Sequence, residues 1–431
     1  MPITLLLAAT LAASAAPRTL RLEDALRELE AQNLTLAQAR DRAEEAAGLS
    51  RQALAVALPT LTAAGGYTRY RDQAVAPIGT LLAGTLPPGA ARPPDLVIQP
   101  REALSASATL RVPLVAPSAW AEAAAARSGA EAASAAASAA RPQLRAALRQ
   151  AAYGAQASEE IVVASERALA SAEEQARLAA RAVEAGTGTS LAVLQARTEA
   201  VKRRSELSRA RAEVERAHLA LGILLGRADP VRVPLDPPAR PGPIDAAALT
   251  SEALAARGEL AAASAQLEGA ERQLTAAHLR VLPQLSASAS AFAQDVPFPT
   301  GRNDGWRLTL DLTWTLYDGG LRYGRARQAA GAAAEARAAV EAQRLAVVQE
   351  VEDAARDVAV TTERLGLAED QARLAAEAAA TARRGFAGGV AGSLDVLDAN
   401  DRLFQSEVGL AQARAQLGAA LASLERAAGR S

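Results

Sequence analysis

The chain has no cysteine, which excludes disulfides, thiolate-held zinc, thiol nucleophiles and lipid anchors on cysteine. Aromatic residues make up only 3% of 431 positions, too few for the core of a compact enzyme of that length. Lysine occurs once, at Lys202, so a P-loop or Schiff-base lysine has no other place to be. The two histidines, His218 and His278, stand alone on separate helical segments. With no metal-spaced cluster and no Ser-His-Asp set, catalytic, cofactor and metal residues are all assigned as none, and enzyme activity is not expected. The net charge of −1 supplies no field to draw the chain to nucleic acid. Long apolar runs are missing too: the alanine tract after Trp120 is broken by Glu122, Arg127 and Glu131, short of the ~18 to 20 residues a membrane helix needs. A membrane-spanning form of this chain must therefore use strands.

What is present is alanine, which carries most of the 50% hydrophobic share and suits long, closely packed helices. The first residues read as a secretory signal. A short apolar run, Leu5 to Ala13, is followed by Ser14-Ala15-Ala16, with cleavage after Ala15 or Ala16. The signal is assigned to 1–16; the other reading of this stretch is a buried N-terminal helix.

The chain is written twice. A helical stretch opening at Leu20 ends at Leu58-Pro59, and one opening at Pro243 ends at Leu282-Pro283, an offset of 224 (282 − 58). Further on, Ser190-Leu191-Ala192-Val193-Leu194 matches Ser393-Leu394-Asp395-Val396-Leu397 at an offset of 203 (393 − 190). An insertion rich in Pro and Gly at 72–103 accounts for the difference. Residues 17–226 and 246–431 are the repeats, and the proline-rich 227–245 reads as an extended linker.

Each repeat runs helix, strand, loop, strand, very long helix, Gly-rich turn, long helix. Strands are expected at about 60–71, 104–114, 284–295 and 305–316, where apolar and polar residues alternate. In the last, Leu308, Leu310, Leu312, Trp314 and Leu316 oppose Arg307, Thr309, Asp311, Thr313 and Thr315. Each run is about the length of a tilted membrane strand. The helical hairpins are expected at 119–226 and 321–428, with heptad spacing on the return helices (Val193, Ala200, Leu207, Val214, Leu221) that marks helix-on-helix seams. The charged runs along them read as solvated faces. Four half-apolar strands cannot stand alone in a bilayer, because every edge N–H and C=O must be paired there. Single-chain barrels begin at about eight strands, so an oligomer is required; two chains or three would both close.

The doubled layout, the repeated Leu-Pro before a strand, Trp306 through Tyr317-Asp318-Gly319-Gly320 at a strand-to-helix junction and Gly-Ser-Leu-Asp-Val-Leu-Asp-Ala at 392–399 resemble the TolC family of outer-membrane efflux and secretion channels. The resemblance implies a mainly α fold of tandem helical hairpins, with four strands per chain completing a trimeric 12-stranded barrel in the cell outer membrane and a coiled-helix tunnel in the periplasm. It implies a homotrimer acting as a passive duct, partnered by a periplasmic adaptor protein, an inner-membrane pump and outer-membrane lipid, without nucleic acid. The rival readings are a periplasmic adaptor, which has one hairpin flanked by lipoyl-like and β-barrel modules, and a soluble coiled-coil scaffold, which has no use for the strands.

In family members, acids at the second hairpin turn line the periplasmic entrance. Asp395 and Asp398 stand there on one helix face, and Leu394 reads either as an added apolar constriction or as ordinary seam packing. The competing role for the acids is capping, with Ser393 as N-cap. The first turn has Ala192 in place of Asp395, and Phe386 and Ala391 offer neither the hydroxyl nor the guanidinium with which some relatives hold the entrance shut. Alternation assigns Arg307, Asp311 and Arg111 to the barrel lumen, the alternative being one wet face of a soluble sheet. Tyr67, Tyr70, Trp306, Trp314 and Tyr317, near strand ends, suit aromatic belts at membrane interfaces.

Overall fold

A computed structural model describes residues 17–82, 84–85, 87, 89–91, 94–295 and 302–430. The signal expected at 1–16 lies outside the described residues. The first half runs β1 (Arg18–Thr19), α1 (Leu22–Gln32), α2 (Leu34–Ala55), β2 (Thr60–Arg69), β3 (Ala74–Ala76), α3 (Ile78–Leu81), β4 (Leu96–Gln99), β5 (Glu102–Val115), α4 (Pro117–Glu184) and α5 (Ser190–Leu224). After β6 (Val231–Arg232) come α6 (Ala246–Ala256), α7 (Gly258–Leu279), β7 (Gln284–Gln294), β8 (Asp304–Thr313), α8 (Leu321–Ala387) and α9 (Ser393–Ala427). Of the described residues 68% are helical, so the fold is mainly α. The long helices follow from alanine content and the scarcity of breakers. Only Pro142 interrupts the donor ladder of the 68-residue α4, and the helix continues through it.

Two compact units are distinguished, residues 17–44, 132–264 and 338–430 in one and 45–131 with 265–337 in the other. The first unit is helix packed on helix. Ala25 and Leu29 of α1 bury against Leu148, Ala152 and Ala155 of α4, Leu221 of α5 and Val231 of β6. Leu249 and Ala253 of α6 do the same against Val347, Val351 and Ala354 of α8 and Ala427 of α9. Charges on the solvated helix faces also pair across helices while staying at least partly exposed: Arg414 with Glu160 at 3.2 Å, Arg167 with Glu407 at 2.9 Å and Arg211 with Glu166 at 2.8 Å. The linker after α5 is not wholly irregular, since β6 pairs in parallel with β1.

The second unit holds an antiparallel sheet ordered β2-β5-β7-β8. Its register joins Leu61, Leu110, Ala289 and Leu308 in one row and Thr60, Arg111, Ser288 and Thr309 in the next. Residues directly opposite share a face, so one face is mainly apolar, with Arg69, Glu102 and Asp304 at its loop end, and the other mainly polar. Leu61, Leu308, Leu310 and Leu312 on the apolar face are 65–74% exposed in the single chain. β2 and β8 are open edges.

The strand limits differ from expectation chiefly at β8, which ends at Thr313 and leaves Trp314 and Leu316 outside it. The Trp314 indole N–H donates to the Val281 carbonyl (3.1 Å), turning the chain away. Positive φ at Gly319 (68°) and Gly320 (90°) then completes the bend into α8. The insertion between β2 and β5 also carries structure of its own, β3 paired with β4 and the turn of α3.

Candidate functional site

Two places concentrate the candidate residues: the hairpin turns of the helical unit and the polar face of the sheet. At the first turn, between α4 and α5, Gly186 takes φ 74° and Thr189 is the N-cap, its hydroxyl oxygen accepting from the Ala192 N–H at 3.3 Å. At the second, between α8 and α9, Gly389 takes φ 76°. The N-cap there is Gly392, not Ser393, which is already the first helical residue. Glycine has no side chain to offer, and the cap is supplied backwards: the Asp395 carboxylate accepts from the Gly392 N–H at 2.8 Å. An acid in the first turn also meets the positive end of the helix dipole.

Asp398, one turn on, pairs with Arg402 at 2.9 Å, both well exposed. Leu394 is 67% exposed, and with Leu191, Leu194, Leu397, Asp398 and Asp401 it lines a groove between the starts of α5 and α9. Leu394 and Asp398 therefore meet in one groove, while Asp395 is committed to its cap.

A buried cation lies just beyond. The Arg203 side chain on α5 is 4% exposed. It is held by Glu199 (2.8 Å) and Glu206 (2.9 Å) on its own helix and by Asp401 across on α9, and it lies over the Phe404 ring at 4.7 Å. Burial disfavours its charge, but the hydrogen bond it donates to Asp401 and the Glu206 and Glu199 carboxylates outweigh that and hold its pKa above the ordinary arginine value. The spacing Glu199–Arg203–Glu206 was visible in the sequence as an i,i±3/4 pattern. The partner on α9 was not.

His218 is also less solitary than its place in the sequence suggests. It is buried, and its Nε2 lies 2.8 Å from Glu159 on α4, which also holds Arg232 of β6. Burial works against the Glu159 charge, yet the hydrogen bonds from Arg232 and His218 prevail and keep the carboxyl below the usual range. The cluster fastens α4, α5 and β6 together. Among the described residues no group of His, Cys, Asp and Glu is placed to hold a metal ion.

On the sheet, Arg111, Arg307 and Asp311 all fall on the polar face. Arg111 stands opposite Thr60 and Ser288, Arg307 opposite Ser290, and Asp311 opposite Ser286. Tyr67 and Trp306 share the apolar face near the end where loops join the strands, with Tyr70 just past β2. Trp314 and Tyr317 follow β8 at the end where the helices join. These five aromatics are 40–85% exposed and so form two separate groups at opposite ends of the strands. Phe292 is a residue that the alternation could have revealed and that was passed over: it pairs with Gly305 and belongs to the polar face.

The sequence profile described as "Outer membrane efflux protein" matches residues 25–227 and 249–430. Among solved structures the chain is similar to the outer-membrane channel OprN, with a TM-score of 0.78 and 22% identity over 95% of this chain and 90% of that one. It is similar to the outer membrane protein VceC of Vibrio cholerae (TM-score 0.78, 21% identity, 95% and 96% covered). A structure of CusC gives a TM-score of 0.80 at 17% identity, with 95% and 92% covered. No curated protein matches the chain. At these identities the structural likeness is one of fold.

Proposed function

Since the chain belongs to the outer membrane efflux protein family, we propose that it is the passive exit duct of an efflux or secretion system, built as a homotrimer. Family membership itself makes it an outer-membrane efflux channel with a periplasmic part, and not an enzyme. The finer reading is ours. Three copies of the four-stranded sheet supply 3 × 4 strands for one closed barrel. The helical hairpins enclose the periplasmic tunnel, and an inner-membrane pump drives cargo into it through a periplasmic adaptor protein.

The observation that carries this reading is the sheet. It has an apolar face whose Leu61, Leu308, Leu310 and Leu312 no described residue covers, a polar face opposite, and two edges unpaired among the described residues. In hydrocarbon each unpaired N–H or C=O costs several kcal/mol, so such a sheet is tenable only when closed on itself. The polar face then becomes the lumen, with Arg111, Arg307 and Asp311 wetted, and the two aromatic groups become the girdles of Tyr67, Tyr70 and Trp306 on one side and Trp314 and Tyr317 on the other. At the tunnel entrance Asp395, Asp398 and Leu394 repeat around the threefold axis, where crowded carboxylates attract divalent cations.

Membranes washed in carbonate should retain the protein, and unboiled samples should migrate as a trimer. Extraction as a soluble single subunit would reject the duct. The entrance is tested in planar bilayers with the double variant Asp395→Asn, Asp398→Asn, which leaves an oxygen to accept from the Gly392 N–H. Block of the current by divalent cations should weaken; block equal to that of the parent would remove the two acids from the entrance.

A further inference from the structure

Phe292 is out of keeping with the polar face on which it lies. The other β7 residues on that face are Gln284, Ser286, Ser288, Ser290 and Gln294. Directly across is Gly305, and a Cβ built there would stand 2.8 Å from two carbons of the Phe292 ring. The ring therefore occupies the space over Gly305 that any other residue's Cβ would fill. Two positions along β8 on the same face, the Arg307 guanidinium carbon stands 5.9 Å from the ring centroid, within range of cation–π attraction.

The electrostatic setting is one-sided. Among the described strand residues the charges on this face are Arg111, Arg307 and Asp311, none of which forms an ion pair with a described residue. Asp311 is four positions from Arg307 along β8, about 13 Å at ~3.3 Å per residue. That exceeds the screening length of ~8 Å at physiological salt, so Asp311 leaves Arg307 uncompensated. Covering a glycine with an aromatic ring explains where the ring sits. It does not explain an unpaired guanidinium set beside that ring on a wet surface.

We propose that Phe292 and Arg307, on the floor that Gly305 provides, form a subsite for aromatic anions, molecules with a planar ring carrying a carboxylate or sulfonate. The guest ring stacks on Phe292 while its anionic group takes the free N–H donors of Arg307. Organic cations are repelled by the same guanidinium. The inference rests on the polar face being the lumen, where the trimer presents three such subsites.

The test uses naphthalene-2-sulfonate on the full-length protein in planar bilayers. The probe should reduce single-channel current in a concentration-dependent way, and methanesulfonate, which has the charge without the ring, should not. Phe292→Leu, which still fills the space over Gly305, and Arg307→Gln should each weaken the block about threefold or more, and Arg111→Gln should change it less. Equal block of the parent and Phe292→Leu, or equal block by methanesulfonate, would overturn the subsite while leaving the duct intact. A protein that conducts no current would defeat the duct instead. Equilibrium dialysis of the same probe against nanodisc-embedded protein then decides the subsite: binding lost in Phe292→Leu supports it, and binding unchanged overturns it.

Discussion

Asn33 and Arg257 stand 224 positions apart (257 − 33), and each interrupts a helix for one residue with nearly the same backbone, φ −64° and ψ 124° against φ −72° and ψ 124°. Both are buried, at 6% and 5% exposure, and a buried break must satisfy the polar groups it releases. The first half does so with a neutral amide: the Asn33 oxygen accepts from the Leu36 N–H (3.0 Å) and its nitrogen donates to the Leu224 carbonyl (2.7 Å). The second half puts a cation there, Arg257, whose side chain donates to the Glu259 (3.3 Å) and Glu350 (2.7 Å) carboxylates rather than to backbone. The hairpin turns differ in the same manner at an offset of 203 (392 − 189). Thr189 caps forward onto Ala192, whereas Asp395 caps backward onto Gly392, so each turn holds one half of a reciprocal capping box. Even the buried pairs exchange sizes, Ala25 with Leu29 in α1 against Leu249 with Ala253 in α6. The backbone path is what the two halves share, and several chemistries satisfy it.

The sharpest contrast is at the glycines that end α5 and α9, again 203 apart (429 − 226). Gly226 has φ 80°, and a Cβ there would lie 2.4 Å from the Gln32 carbonyl oxygen; Gly429 has φ 75°, with the nearest atom at 3.2 Å. A left-handed alanine costs about 1–2 kcal/mol by itself, and forced overlap adds about 1–3 kcal/mol. Gly226→Ala should therefore lose roughly 2–5 kcal/mol in urea unfolding followed by helical circular dichroism, and Gly429→Ala about 1–2 kcal/mol. Equal losses would mean that Gln32 yields freely.

The two breaks separate next, in size and in pH response. Arg257→Leu takes the shared cation from Glu259 and Glu350, leaving them Gln143 (3.0 Å) and Arg426 (3.3 Å), and should cost about 2–3 kcal/mol, against about 1–2 kcal/mol for Asn33→Ala. Burial opposes the charge of Glu259, but hydrogen bonds from Arg257, the backbone and Gln143 more than offset it and hold the carboxyl below its ordinary range. A depressed folded pKa stabilises above the unfolded value of ~4.3 and is lost as pH falls through the folded one. The Arg257→Leu penalty should therefore shrink in acid below about pH 4 while the Asn33→Ala penalty stays level. Parallel pH profiles for the two variants would refute the ionic account.

The smallest effect concerns the caps. Adding the missing half to the first turn, Ala192→Asp, should stabilise it by about 0.5 kcal/mol and slow hydrogen exchange at the Thr189 amide. Exchange unchanged at that amide would show that the two turns are not complementary halves of one device.

Much of this was legible without coordinates. Period-2 alternation assigned Arg111, Arg307 and Asp311 to a polar face, since strand geometry leaves a side chain only two directions. By the same rule Phe292 was readable, being two residues past Ser290 on the polar side of the same strand. Asp395 was legible as a helix-start acid, but its cap is tied to Gly392, because a one-residue shift in where α9 begins reassigns every capping role.

The order of elements, the duplication and the two faces of the sheet were determined by sequence alone, because each depends on periodicity, on breakers or on spacing along the chain. Only the tertiary structure decided that Arg203 meets Asp401, that His218 meets Glu159 and that the Phe292 ring covers Gly305. Those contacts join residues 198, 59 and 13 positions apart (401 − 203, 218 − 159, 305 − 292). Local propensity does not reach across such separations; the relative rotation of packed helices and the register of paired strands set them, and both emerge only when the whole chain packs.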